Sequence, residues 1–122
     1  MAANKILNVG PAYVANGAAN LLTPGAAPGS AVGYTSTAPY IIVKHIRIMN
    51  KDSSAHVVTL FKGATGASAG GTEVCFDHFS LAAASFQDWY GNLRLDTADF
   101  LVGTTDATSQ VTINIDGEIG LS

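Results

Sequence analysis

The segment from Tyr40 to Lys62, YIIVKHIRIMNKDSSAHVVTLFK, constrains this chain most, because it reads as two β-strands about one polar turn. In the first run Ile42, Lys44, Ile46 and Ile48 share one face and Val43, His45, Arg47 and Met49 the other, since successive side chains alternate across a strand. The second run, Val57 to Lys62, is β-branched and aromatic. Between them lie Asn50, Lys51, Asp52, Ser53 and Ser54, whose short polar side chains favour a turn over continued strand. The pattern predicts a β-hairpin.

Further strand signals recur along the chain. Lys5 to Val9 and Thr72 to Phe79 read as strands, and Ser85 to Tyr90 sets Phe86, Asp88 and Tyr90 on one face against Ser85, Gln87 and Trp89 on the other, with aromatics on both, before Gly91-Asn92 closes it. Leu93 and Leu95 keep strand spacing, and Asp96 to Asp99 form a polar corner. Phe100 to Val102, Val111 to Ile115 and Glu118 to Leu121 complete the series, the last two joined through Asp116-Gly117, a hairpin dipeptide. No segment sustains a 3.6-residue apolar period, so the chain is expected to be nearly all β. About eight short strands with frequent turn signals predict a β-sandwich, Greek-key or jelly-roll-like. Its expected core is Ile42, Ile46, Ile48, Val57, Leu60, Phe61, Val74, Phe76, Trp89, Leu93, Leu95, Phe100, Val111, Ile113 and Ile115.

Residues 1–39 differ from the sandwich expected over 40–122. After the first strand, Gly10 to Pro39 is mostly Gly, Ala, Pro, Ser and Thr, with turns at Pro24-Gly25 and Pro28-Gly29. Such an arm holds too few large apolar residues to make its own core, and ordering it costs roughly 1 kcal/mol or more per residue. Contacts with a neighbouring copy or a larger particle are the expected offset, with Tyr13, Leu21, Leu22 and Tyr34 as anchors of an assembly interface.

Charged residues make up 12 % of the 122, against about 25 % in typical domains. A small, neutral surface suits close packing against other chains, and equally an ordinary sandwich with Ser- and Thr-rich outer faces. The net charge is −3 and the six basic residues are scattered, so there is no patch to displace counterions from phosphates and no nucleic-acid partner is expected. The start, MAANKILNVGP, lacks a signal peptide's basic and apolar segments, and no stretch approaches the roughly 20 apolar residues of a membrane helix. A soluble chain without a membrane partner is expected.

Chemistry-bearing residues form no familiar constellation. The Gly63 to Gly71 loop has no Gly-Lys-Ser/Thr and leads into a strand, unlike a phosphate-binding loop. His45, His56 and His78 fall on different strands without metal-ligand spacing; His45 and His56 flank the turn and suit a polar cross-strand pair better than a metal site. Asp96 and Asp99 share a corner where Asp caps backbone N–H groups, with calcium as the alternative. There is no Gly-x-Ser-x-Gly, and Cys75 stands alone in the apolar Val74-Cys75-Phe76, a small buried hydrophobe. Trp89 and Tyr90 are compatible with a sugar-stacking platform, but their aromatic strand favours core packing. No enzyme, metal or cofactor is expected.

Four segments together resemble small bacteriophage virion β-sandwich structural proteins. They are Asn8-Val9-Gly10-Pro11-Ala12; Val43 to Asn50 followed by Val57 to Gly63; Trp89-Tyr90-Gly91 leading to Leu93-Arg94-Leu95-Asp96; and Val111-Thr112-Ile113 to Gly117-Glu118-Ile119. The Ala/Gly/Pro arm between Tyr13 and Tyr40 is longer than in that group. The resemblance implies a non-enzymatic virion component, assembled in the host cytoplasm, that binds the major capsid protein or other virion proteins and self-associates, as a homotrimer. A capsid decoration (cement) protein is the expected role; a neck or tail component is the alternative within the class, and a lectin-like host-glycan-binding sandwich the alternative outside it.

Overall fold

The computed structural model describes residues 5–24, 31–32, 40–63, 72–97 and 99–120. Among these residues nine strands run in chain order: β1 (Lys5–Tyr13), β2 (Ala19–Leu22), β3 (Ala31–Val32), β4 (Tyr40–Asn50), β5 (His56–Gly63), β6 (Phe79–Leu81), β7 (Ser85–Asp96), β8 (Phe100–Thr105) and β9 (Val111–Ile119). They form a five-stranded sheet, β3-β1-β9-β4-β7, and a four-stranded sheet, β2-β8-β5-β6, paired antiparallel throughout. Leu7, Ile41, Val43, Ile46, Ile113 and Ile115 from the first sheet meet Leu22, Val58, Leu60 and Leu101 from the second in one buried cluster. Each such side chain contributes about 1.5–3 kcal/mol on leaving water, which is what holds two sheets face to face. The fold is the expected all-β sandwich.

The chain crosses between sheets at nearly every turn. Among consecutive strands of the described residues, only β5 and β6 pair with each other. The expected β4–β5 hairpin is therefore an arch from one sheet to the other. The buried Asn50 carboxamide holds this arch, donating to the carbonyls of Ser54, Leu81 and Ala82 at 2.8, 3.2 and 3.2 Å and accepting from Asp52 N–H at 2.9 Å.

Within β4 the alternation inverts. Ile41 and Val43 point into the core, then Ile46 and Ile48 do, while Ile42 faces outward with Arg47 and Met49. A β-bulge explains the change: Val43 opposes Gly117 and His45 opposes Asp116, so β4 carries Lys44 as an extra residue against β9. Gly117 lies inside β9 rather than in the expected hairpin turn, and the position requires glycine because a Cβ there would clash with the Ile42 carbonyl oxygen. Likewise β7 continues through Gly91-Asn92 as one strand of 12 residues. The expected strand from Thr72 is reduced to β6, preceded by an irregular stretch in which Cys75 and His78 have positive φ of 65° and 48°.

Ile42, Val57, Val74, Trp89, Leu93 and Phe100 are half-buried rather than fully in the core. Residues N-terminal to 40 supply core in their place. β1 pairs with β9 and β2 with β8, so both sheets draw strands from either side of residue 40, and Leu7, Val9, Val14 and Leu22 are buried.

Candidate interaction face

The outward face of the five-stranded sheet gathers polar and apolar side chains into four rows set by the register. Ile6, Glu118, Ile42 and Arg94 form the first; Asn8, Asp116, His45 and Tyr90 the second. Asn114, Arg47 and Asp88 form the third, and Tyr13, Thr112, Met49 and Phe86 the fourth. All the large apolar side chains exposed among the described residues lie here: Ile6 at 78 %, Tyr90 at 72 %, Tyr13 and Phe86 at 52 % and Met49 at 40 % exposure.

Charges on this face are paired with one another. His45 Nε2 lies 2.8 Å from Asp88 Oδ1 and its Nδ1 lies 3.0 Å from Asp116 Oδ2. Arg47 donates to both Asp88 oxygens, at 2.7 and 3.1 Å, and Asn8 Nδ2 donates to Asp116 Oδ1 at 3.0 Å. Lys44 meets Glu118 at 2.9 Å, which accounts for its outward place in the bulge. Rings cover several cations: Tyr90 stacks on His45 at 4.7 Å, Arg47 lies 4.4 Å from the Phe86 centroid, and Arg94 lies 4.3 Å from that of Tyr40.

These contacts define the protonation of the network. A neutral imidazole has one N–H, so donating to two carboxylates requires His45 in its imidazolium form. Burial works to lower the His45 pKa, but the hydrogen bonds it donates to Asp116 and Asp88, with the attraction of their charges, outweigh it and the value is raised. Arg47 first and His45 second hold the Asp88 carboxyl down at about 2. A second clamp of the same kind stands at the arch, where His56 lies 2.7 Å from Asp52 and 2.8 Å from Asp106. Its pKa is raised, chiefly by the Asp52 hydrogen bond.

With both ring nitrogens committed, neither imidazole is free to take a proton from a substrate. The Cys75 thiol is pushed up to about 12 by burial, which removes its nucleophilic thiolate at neutral pH. Among the described residues no group of three His, Cys, Asp or Glu side chains is arranged to hold a metal ion, and no helix is long and apolar enough to cross a membrane.

The expected assembly anchors separate. Tyr13 is exposed on the outward face, with Lys51 Nζ donating to its hydroxyl at 3.2 Å. Leu21 packs on the core and Leu22 is buried within it, so Leu22 serves the chain's own interior and not an interface. Tyr34 lies outside the described residues. His45 and His56 do not pair: they sit in different sheets, each taken by two carboxylates. Asp99 caps as expected, its Oδ2 accepting from Asp96 N–H at 2.8 Å, whereas Asp96 Oδ1 accepts from Arg94 Nε at 2.9 Å. Trp89 packs against the core, whereas Tyr90 projects outward.

The joining of Asp88, His45 and Asp116 was not foreseen from sequence. Its one local signal is the like parity of His45 with Arg47 and of Asp88 with Tyr90. Comparison with protein families, with curated proteins and with solved structures finds no match to this chain.

Proposed function

We propose that this chain is a non-enzymatic bacteriophage virion structural protein, a capsid decoration protein that binds the major capsid protein through the outward face of its five-stranded sheet. The resemblance of the four sequence segments supports the virion reading. The observation that carries the interaction reading is the segregation of Ile6, Tyr13, Met49, Phe86 and Tyr90 onto that single face. Large apolar side chains exposed together on one sheet face mark a contact site, and ion pairs closed within the face leave fewer lone charges to desolvate on docking. Repetition on a shell lattice makes modest individual contacts adequate.

Incubating the purified chain with tailless capsids and sedimenting them tests this. Co-sedimentation that is lost in Tyr90→Ala and Phe86→Ala, with the fold retained, is the expected result. Binding only to tail or neck complexes would place the chain there. Retention by a glycan array with no capsid binding would favour the lectin-like alternative.

A further inference from the structure

We infer that β7 is a self-pairing edge, through which two copies join antiparallel about a two-fold axis centred on Gly91. The sheets have four outer strands, and within the described residues β3, β2 and β6 run for 2, 4 and 3 residues, whereas β7 runs for 12. One side of β7 pairs with β4, and no described strand pairs with the other. Its sequence, SFQDWYGNLRLD, contains neither the Pro nor the Lys that commonly blunts an open edge. Its inward and outward residues keep one parity throughout: Trp89, Leu93 and Leu95 face in and Phe86, Asp88, Tyr90 and Arg94 face out, with Gly91 and Asn92 together opposing Lys44 of β4.

The register is chosen by complementarity. Directly opposed residues of an antiparallel pair share a face, so a two-fold at Gly91 sets Asp88 against the second copy's Arg94, and Arg94 against its Asp88. On the inward face the same register sets Trp89 against Leu93 of the second copy, twice. Trp89 and Leu93 are the two apolar residues of β7 that remain only partly buried against the core. A shift that centres the axis on Asn92 brings Asp88 against Asp96, a like-charge pair, and loses both matches. At present Gln87 Nε2 covers the Asp88 carbonyl at 3.3 Å, a bond that a paired strand would replace. The product is a ten-stranded sheet in which the two outward faces become one surface. This contact does not depend on the virion reading.

Sedimentation velocity on the full chain should give about 25 kDa, twice the 12.5 kDa chain mass. Arg94→Asp, which sets two carboxylates opposite each other at both ends of the pairing, should return it to the single-chain mass with circular dichroism unchanged. If that variant fails to fold, Asn92→Lys, a charge placed on the exposed edge, carries the same expectation. The double variant Tyr90→Cys, Asn92→Cys should form a covalent dimer under oxidant that the wild type, with Cys75 alone, does not, because opposed α-carbons of antiparallel strands lie about 4.5–5.5 Å apart. A single-chain or three-chain mass for the wild type, or a dimer unmoved by the folded edge variants, would overturn the inference. Capsid binding is measured separately, so failure of one reading leaves the other standing.

Discussion

Ile42 and Ile46, four residues apart in β4, lie on opposite sides of the sheet: Ile46 is fully buried and Ile42 faces outward beside Glu118 and Arg94. Strict alternation would put them on one face, and the extra residue at Lys44 is what separates them. Ile46→Ala should therefore cost about 2–5 kcal/mol and Ile42→Ala less than about 1.5, read by urea unfolding. Equal losses would contradict the bulge.

Gly117 sits where β9 passes closest to β4. Gly117→Ala should destabilise by about 1–3 kcal/mol or more, because the added carbon meets the Ile42 backbone oxygen, which cannot swing aside as a flexible side chain would. Gly17, with open space around it, is the comparison, and Gly17→Ala should cost only the backbone strain of its φ of 103°, about 1–2 kcal/mol. Thermal melts of the two variants separate steric from conformational cost.

Asn50 is the buried polar group on which the arch depends. Asn50→Ala removes the donor shared by Ser54, Leu81 and Ala82 carbonyls and the acceptor for Asp52 N–H, and should cost about 1–3 kcal/mol. Hydrogen exchange should speed up at Asp52 and around residues 82–84 before the rest of the fold is affected.

The two histidine clamps make stability depend on pH with a definite sign. Both folded-state pKa values lie above the ordinary 6.5, so their contribution is complete below that value and is lost as pH rises through the raised values. Facing His45 are Asp116 from β9, Asp88 and Tyr90 from β7 and Arg47 on its own strand; facing His56 are Asp52 and Asp106. The urea midpoint should fall as pH rises above 6.5, and the double variant His45→Gln, His56→Gln should flatten that slope. At the acid end Asp88, held at about 2 against an ordinary 3.8, contributes stability that is present above 3.8 and lost as pH falls through about 2. A midpoint that rose over the neutral-to-alkaline range in the wild type would contradict the clamps.

Much of the fold was legible in sequence. Alternating apolar residues identify strands because a pleat repeats every two residues, and the absence of a helical period excludes the other regular structure. The like parity of Arg47 with Met49, and of Phe86 with Asp88 and Tyr90, already placed those residues on shared faces. Pairing was not legible. The polar run from Asn50 to Ser54 and the Asp116-Gly117 dipeptide are compatible with a hairpin, an arch or a strand interior. The choice belongs to partners distant in sequence, such as Gly117 under the Ile42 carbonyl.

Composition, strand periodicity and the lack of nucleophile or metal spacing are properties of the sequence by itself, because they depend on residue type and near neighbours. Three things depended on the tertiary structure: which side of the bulge faces the core, that Leu22 belongs to the interior, and that His45 stands between Asp88 and Asp116. The physical reason is that these are contacts between strands far apart in the chain. Whether β4 inserts one residue against β9 is set by the summed burial of both strands, and no local window contains that sum.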